Sequence, residues 1–308
     1  GVGVPSVGST AYIMGVALGE LLSKYSYIKA SAQPTGGSNA TLRGINAGKA
    51  DIGFGNAFSS RHAHLGVGGF AKDGKLPIRM LLLGYTSNRI LIARADSGIQ
   101  SAADLKGKRV VAKRRALPDI ELQARSLLKA YGVPAEEVEF VETANTGQAL
   151  DAVRTGSVQA AFVPGGTPSP VIAELAQTTG IQVISIPQDK MAIVLQEMGP
   201  SVYATTLPAG TYKGQEQDAN VVGIGTLVFV HKDLAEATVY EIMKTWMGHF
   251  DEFKLVHRDA AAWTVEDTLA KPLPVPFHSG TIKYLKEKGV WTSQLEEVQQ
   301  KLLKEGAQ

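Results

Sequence analysis

The chain has 308 residues and a mass of 32.7 kDa, enough at ~100–200 residues per domain for two domains with a sizeable core in each. Hydrophobic residues make up 44% and charged residues 19%, and Lys+Arg 31 against Asp+Glu 29 leaves a net charge of +2, so a disordered or fibrous chain is excluded and no general pull toward nucleic acid is expected. Cysteine is absent, which excludes a thiol nucleophile, a disulfide framework, an iron–sulfur cluster and a Cys-based zinc site. No apolar run reaches the ~18 residues of a membrane span. The chain opens at Gly1 without a signal-peptide pattern, so a mature or trimmed form is expected, from which any targeting segment would already be gone.

Helical and strand patterns alternate along the chain, which predicts an α/β protein with mainly parallel sheet. Apolar residues at 13, 14, 16, 18, 21 and 22 predict a helix over 12–24. Ser9 or Thr10 is placed to cap it. A second helix is expected over 38–46, with Ser38 as N-cap and Gly48 as its stop. Short strands are expected over 51–55, 80–83 and 90–94.

A helical turn over 101–105, a strand over 109–112 and a helix over 118–131 follow, with Pro118 in the first turn and Gly132 past the end. Strands are expected over 138–141, 158–163 and 183–186, and helices over 147–154 and 168–177. The stretch 199–220 is rich in Gly, Pro, Thr and Gln and reads as loop. A β-rich run over 221–231 precedes a long helical pattern over 233–256. Pro272, Pro274 and Pro276 force an extended segment, and helices over 281–288 and 293–304 close the chain. No short-period repeat is present, so solenoids and propellers are not expected.

The first sixteen residues imitate a phosphate loop, with Gly3, Gly8, Ser9 and Thr10, but Ser9 stands where that loop needs Lys. What remains is a Gly-rich turn that brings Ser6, Ser9 and Thr10 to a helix N-terminus. Free N–H groups and the positive dipole end favour an anion there, though helix capping alone also accounts for the pattern. Residues 35–39 (Thr-Gly-Gly-Ser-Asn) form a second such turn, and 55–58 (Gly-Asn-Ala-Phe) a third. Each follows an expected strand, which puts all three at the carboxyl edge of one sheet, where open α/β sheets bind ligands.

Taken together, these segments resemble the TAXI solute-binding proteins, the extracytoplasmic receptors of one class of TRAP transporters. The resemblance rests on Gly8-Ser9-Thr10-Ala11-Tyr12 with Gly15, Thr35-Gly36-Gly37-Ser38-Asn39 with Leu42, and Gly48-Lys49-Ala50-Asp51-Ile52-Gly53-Phe54. It continues through Arg94-Ala95-Asp96-Ser97-Gly98-Ile99, Asp104-Leu105-Lys106-Gly107-Lys108-Arg109-Val110, and Thr167-Pro168 with Pro170. Leu207-Pro208-Ala209-Gly210-Thr211-Tyr212, the segment 272–278 and Lys288-Gly289 extend it to nearly the whole chain.

The resemblance implies the type II periplasmic-binding-protein fold, with two α/β lobes joined by two crossing strands and a ligand cleft between them. The first lobe would comprise 1–89 and 232–308, the second 90–231, with crossings near 90–94 and 221–231. It further implies a small carboxylate ligand such as glutamate, 2-oxoglutarate or another dicarboxylate. A TRAP-type membrane permease is the implied partner, with a periplasmic or extracytoplasmic location and lobe closure about the crossing strands. Ser9, Thr10, Thr35, Ser38 and Asn56 inherit the first-lobe ligand role, and Gly165, Gly166 and Thr167 the second-lobe role. Tyr12, on the first helix, either lines the cleft or packs.

The chain departs from the family in one place. Most members carry a Gly-Ser-Gly-Thr-like turn after the strand at 109–112, and this chain has Lys113-Arg114-Arg115-Ala116-Leu117-Pro118-Asp119. Arg114 or Arg115, facing the cleft, would pair bidentately with a ligand carboxylate. The bland reading is a solvated charge run. Arg61, just after the third turn, is a further candidate. His62 and His64 lack a third ligand for a metal, and no cofactor is expected. Trp246 and Phe250, at i and i+4, read as core. No G-x-S-x-G elbow and no marked carboxylate pair is present, so an enzyme is not expected. A binding protein of an ATP-driven importer, or an enzyme on the same fold, are the alternatives.

Overall fold

The computed structural model describes residues 1–307. The chain divides into two compact units. The first comprises Gly1–Pro5, Ala11–Tyr85 and the chain from Gly225 on; the second comprises Ser6–Thr10 and Thr86–Ile224.

The first unit opens with β1 (Val2–Val4), α1 (Thr10–Tyr25), β2 (Ala32–Pro34), α2 (Ser38–Asn46), β3 (Ile52–Asn56), α3 (Ala57–Leu65) and the 17-residue β4 (Ile78–Arg94). β1 runs parallel to both β2 and β3, with Val2 opposite Ala32 and Ile52. Every residue of β1 and β3 is buried, as expected for parallel strands covered on both faces. The stripe on α1 is the reason it packs here: Met14, Leu18 and Leu22 are fully buried. The approach is close. A Cβ on Gly15 would stand 2.2 Å from Val4 Cγ1, so only glycine lets α1 lie on β1 at this spacing.

The second unit continues with β5 (Arg109–Lys113), α4 (Asp119–Ala130), β6 (Glu139–Glu142), α5 (Thr146–Arg154), β7 (Ala160–Gly165), α6 (Pro170–Thr178), β8 (Ile181–Ile184), α7 (Gln188–Met198) and β9 (Tyr203–Leu207). β5 runs parallel to β6 and β7, while β4 runs antiparallel to β7 and β8. Ile90, Ile92, Val111, Val153, Val163, Ile172, Leu175 and Val221 form its apolar core.

β10 (Ala219–His231) then pairs antiparallel with β9 at its start and with β3 at its end. β4 and β10 are neighbours in the sheet, and each contributes residues to both units. The chain closes in the first unit with α8 (Glu236–Gly248), α9 (Phe250–Phe253), α10 (Val265–Leu269), α11 (Ser279–Glu287) and α12 (Ser293–Ala307). Trp246 and Trp263 are fully buried there, with ring centroids 5.5 Å apart. Trp246 packs on Phe253, and Phe250 is only half-buried.

Four expectations are corrected. The strands expected at 80–83 and 90–94 are one strand, because the polar segment between them stays in register, Asn88 pairing with Gly165. The stretch 199–220 holds β9, whose mostly exposed residues hide its strand character until β10 pairs with it. The helix expected over 233–256 starts only at Glu236 and breaks after Gly248, where His249 turns out of helical geometry (φ −120°, ψ 28°). Ser38 is the first residue of α2, not its cap; Gly37 occupies the cap with no side-chain hydrogen bond.

Candidate functional site

In the second unit, β5, β6 and β7 point their carboxyl ends at one edge, and α4, α5 and α6 begin there. β4 runs the other way, so Asn88, opposite Gly165, brings Arg89 to the same edge. This register collects Asn88, Arg89, Arg114, Asp119, Thr146 and Thr167, residues far apart in sequence.

Arg114 follows the last residue of β5 and is only 4% exposed. Its Nη2 donates to Thr146 Oγ1 at 3.1 Å, and its Nε is buried with no hydrogen-bond partner. Among the described residues it forms no ion pair. Burial, with a smaller push from Arg89, lowers its pKa to about 10, against an opposing pull from Asp119. Arg89 and Asp119 are themselves fully buried and joined as an ion pair, Arg89 Nε donating to Asp119 Oδ2. Arg89 Nη1 also donates to Ser87 Oγ at 2.9 Å, and Gln123 Nε2 holds the Arg89 carbonyl at 3.1 Å. Two guanidiniums and one carboxylate leave one positive charge uncompensated inside the unit. A buried charge without a partner is costly unless an opposite charge arrives.

Polar groups stand along the same edge. Asn88 Nδ2 donates to Thr167 Oγ1 at 2.9 Å, while Asn88 Oδ1 is buried without a partner. Gly165 and Gly166 are buried at the end of β7. A Cβ on Gly165 would come 2.8 Å from Ser169 Cβ, so glycine is needed for α6 to start this close. The Ser169 N–H donates to the Tyr212 hydroxyl at 3.0 Å.

The turn 6–10 belongs to this unit as well. Gly8 adopts φ 73°, and a Cβ there would meet Val171 Cγ1 at 2.9 Å. Ser9 Oγ donates to the Ser6 carbonyl at 2.6 Å, which closes the turn. Ser6 Oγ and Thr10 Oγ1 are buried and unpartnered.

In the first unit, Thr35 Oγ1 lies 3.0 Å from the Val4 carbonyl and 2.6 Å from Thr41 Oγ1, so its hydroxyl ties α2 to β1. Ser38 Oγ accepts from the Asn56 N–H at 3.1 Å, and Asn56 Oδ1 caps α3 by accepting from the Ser59 N–H at 2.7 Å. Asn39 Oδ1, Ser59 Oγ, Ser60 Oγ and Thr226 Oγ1 are buried without partners. Tyr12 is half-buried on α1. Arg61 turns toward α12, where it pairs with Glu305 at 2.6 Å and reaches the Pro274 carbonyl at 3.4 Å. The His62 ring lies 4.1 Å from that of Phe58, and His64 Nε2 lies 2.8 Å from the Leu302 carbonyl.

Residues 2–289 match the model of the NMT1-like family. The chain belongs to the NMT1-like family. Solved structures share its architecture. MatC of Rhodopseudomonas palustris, determined with bound malate, superposes with a TM-score of 0.59 at 14% identity, covering 96% of this chain and 97% of that one. A protein of Bordetella bronchiseptica RB50 gives 0.51 at 16% identity, over 95% and 89% of the two chains. ArtJ, the arginine-, lysine-, histidine-binding protein of Geobacillus stearothermophilus, gives 0.50 at 14%, over 88% and 98%. The NMT1-like chain thus has the two-lobe α/β fold of solute-binding proteins. No helix among its described residues is long and apolar enough to cross a membrane.

The other two expected cations of this NMT1-like protein have different surroundings from Arg114. Arg115 is exposed, because the turn after β5 buries Arg114 and turns the next residue outward. Arg61 is held by α12 and the 274 carbonyl. The sequence did not single out Asn88, Arg89, Asp119 or Thr146, which the fold brings to the same edge as Arg114. Arg89 did leave a signal: it directly precedes the apolar run 90–93, and a charge at such a place is rarely buried without a partner. Asp119, one turn after two arginines, was the partner on offer.

Proposed function

We propose that this protein is an extracytoplasmic solute-binding protein that captures a small organic acid. Arg114 is the anchor for the acid group, supported by the hydroxyls of Ser9, Thr10 and Thr167 and by the amide of Asn88. The observation that carries this reading is the buried Arg114 guanidinium, which has a hydroxyl partner but no carboxylate and an unpartnered Nε. An incoming carboxylate would supply both the missing charge and the missing acceptor, and a charge-assisted bond of this kind is worth ~1.5–3 kcal/mol. The malate in the MatC structure supports the acid class. The resemblance to TAXI proteins over nearly the whole chain supports delivery to a TRAP-type permease, with β4 and β10 as the crossing strands.

The test is a thermal-shift screen on protein unfolded and refolded to strip bound ligand, against mono- and dicarboxylates, 2-oxo acids, amino acids, sugars and nucleotides. A ligand at about 100 times its Kd adds roughly 2.7 kcal/mol. Shifts confined to acids, and lost in Arg114→Gln, are expected. A shift for a sugar or nucleotide and none for any acid would overturn the reading.

A further inference from the structure

We infer that the Arg114 subsite accepts an anionic group of a single negative charge and rejects a doubly charged group such as sulfate, and that Asp119 is the specificity-determining residue that sets this limit. The inference rests on the acid-binding reading above and deepens it.

The charges inside the second unit can be enumerated. Arg89, Arg114 and Asp119 are buried, at 1%, 4% and 0% exposure. Asp119 is already committed to Arg89. The neighbouring Arg115 is exposed, so water screens it and it adds little to the field inside. One positive charge is left for a ligand. A carboxylate or sulfonate neutralises it. A sulfate or a doubly ionised phosphate brings a second negative charge, which meets no free buried cation and faces the Asp119 carboxylate instead. In a poorly screened interior that repulsion is large.

Arg89 Nε is taken up by Asp119 and Arg89 Nη1 donates to Ser87 Oγ, so the Arg89 guanidinium is held toward Asp119 and is not offered as a second anion anchor. Arg89 therefore offsets Asp119 without itself reading the ligand. Asp119 acts as a filter on charge, independent of the rest of the ligand's shape.

Methanesulfonate and sulfate are close in shape and differ by one charge, which makes them the probes. Acetate is added to separate carboxylate from sulfonate preference. Each is titrated calorimetrically into ligand-stripped protein at pH 8 and constant ionic strength. The expected result for the wild type is that methanesulfonate or acetate binds at least roughly tenfold tighter than sulfate. In Asp119→Asn the preference should reverse, because the buried charge rises to two. The double variant Arg89→Met/Asp119→Leu keeps one positive charge but removes the carboxylate that faces the second negative charge, so the discrimination against sulfate should fall; it serves as the test should Asp119→Asn not fold. Sulfate binding as well as methanesulfonate in the wild type, an unchanged preference in folded Asp119→Asn, or an undiminished preference in the double variant would overturn the charge filter alone. Failure of all three anions to bind, or equal binding by Arg114→Gln, would overturn the acid-site reading and the filter with it.

Discussion

Arg114 Nη2 donates to Thr146 Oγ1 across 3.1 Å, from the turn after β5 to the first residue of α5. A neutral hydroxyl thus orients a buried guanidinium without discharging it. The cation stays available, and its fixed direction removes part of the ordering cost of binding.

The substitution Arg114→Gln should weaken binding of the acid found in the screen by about tenfold or more, corresponding to ~1.5 kcal/mol or above. The ligand-free protein should be no less stable, since an unpaired buried charge is removed. Calorimetric titration and a thermal melt of both proteins check the two halves. Because Arg114 loses its proton near pH 10 in the free protein, acid affinity should hold below that pH and fall as pH rises through it. In the free protein the cost of the buried cation is fully present below about pH 10 and eases as pH rises above it, where the folded state gives up a proton that the unfolded chain still holds.

His64 and His278 give the protein an acid-side limit. Burial lowers both below the ordinary 6.5, so the folded state prefers them neutral. The unfolded chain takes up protons that the folded chain refuses, so stability is complete above about pH 6.5 and declines as pH falls from there toward 5. Melting temperatures measured between pH 8 and pH 5 should show this decline. His64→Gln, which keeps a donor for the Leu302 carbonyl, should flatten it. An unchanged slope in that variant would remove His64 from the account.

Gly8→Ala tests the turn 6–10. A side chain at φ 73° is strained, and its Cβ would press on Val171 Cγ1. The expected loss of stability is about 1–3 kcal/mol, measured by denaturant unfolding. Val7→Ala, at the exposed neighbouring position, should change stability by less than ~0.5 kcal/mol.

Arg61→Ala separates packing from binding. Arg61 and Glu305 are each about one-quarter exposed in their pairing, so the variant should lose roughly 0.5–1 kcal/mol of stability and leave acid affinity unchanged. A tenfold loss of affinity at constant stability would return Arg61 to the ligand.

Much of the fold was legible because its signals are local. The stripe along α1 and the apolar runs of β3 and β7 each declare their element within a dozen residues, and Gly8, Gly36 and Gly48 mark real turns with positive φ. What stayed hidden depends on partners distant in sequence. β9 is a strand because Thr205 pairs with Val221, not because its own residues are apolar. Ser38 looks like a cap, yet its hydroxyl is taken by Asn56 across a different strand. The Arg89–Asp119 pair joins a strand to a helix start, and no spacing rule connects those positions. Arg114 was visible as a charge but not as a buried one, since a turn residue's inward or outward aim is set by the strand before it.

The contact between Gly15 and Val4 carries a consequence for how this chain can diverge. The two positions share one space, and a methyl gained at one must be surrendered at the other. In descendants of this sequence, alanine at 15 should therefore appear only beside a smaller residue at 4. A directed library randomised at both sites should recover that reciprocity of sizes among its folded members.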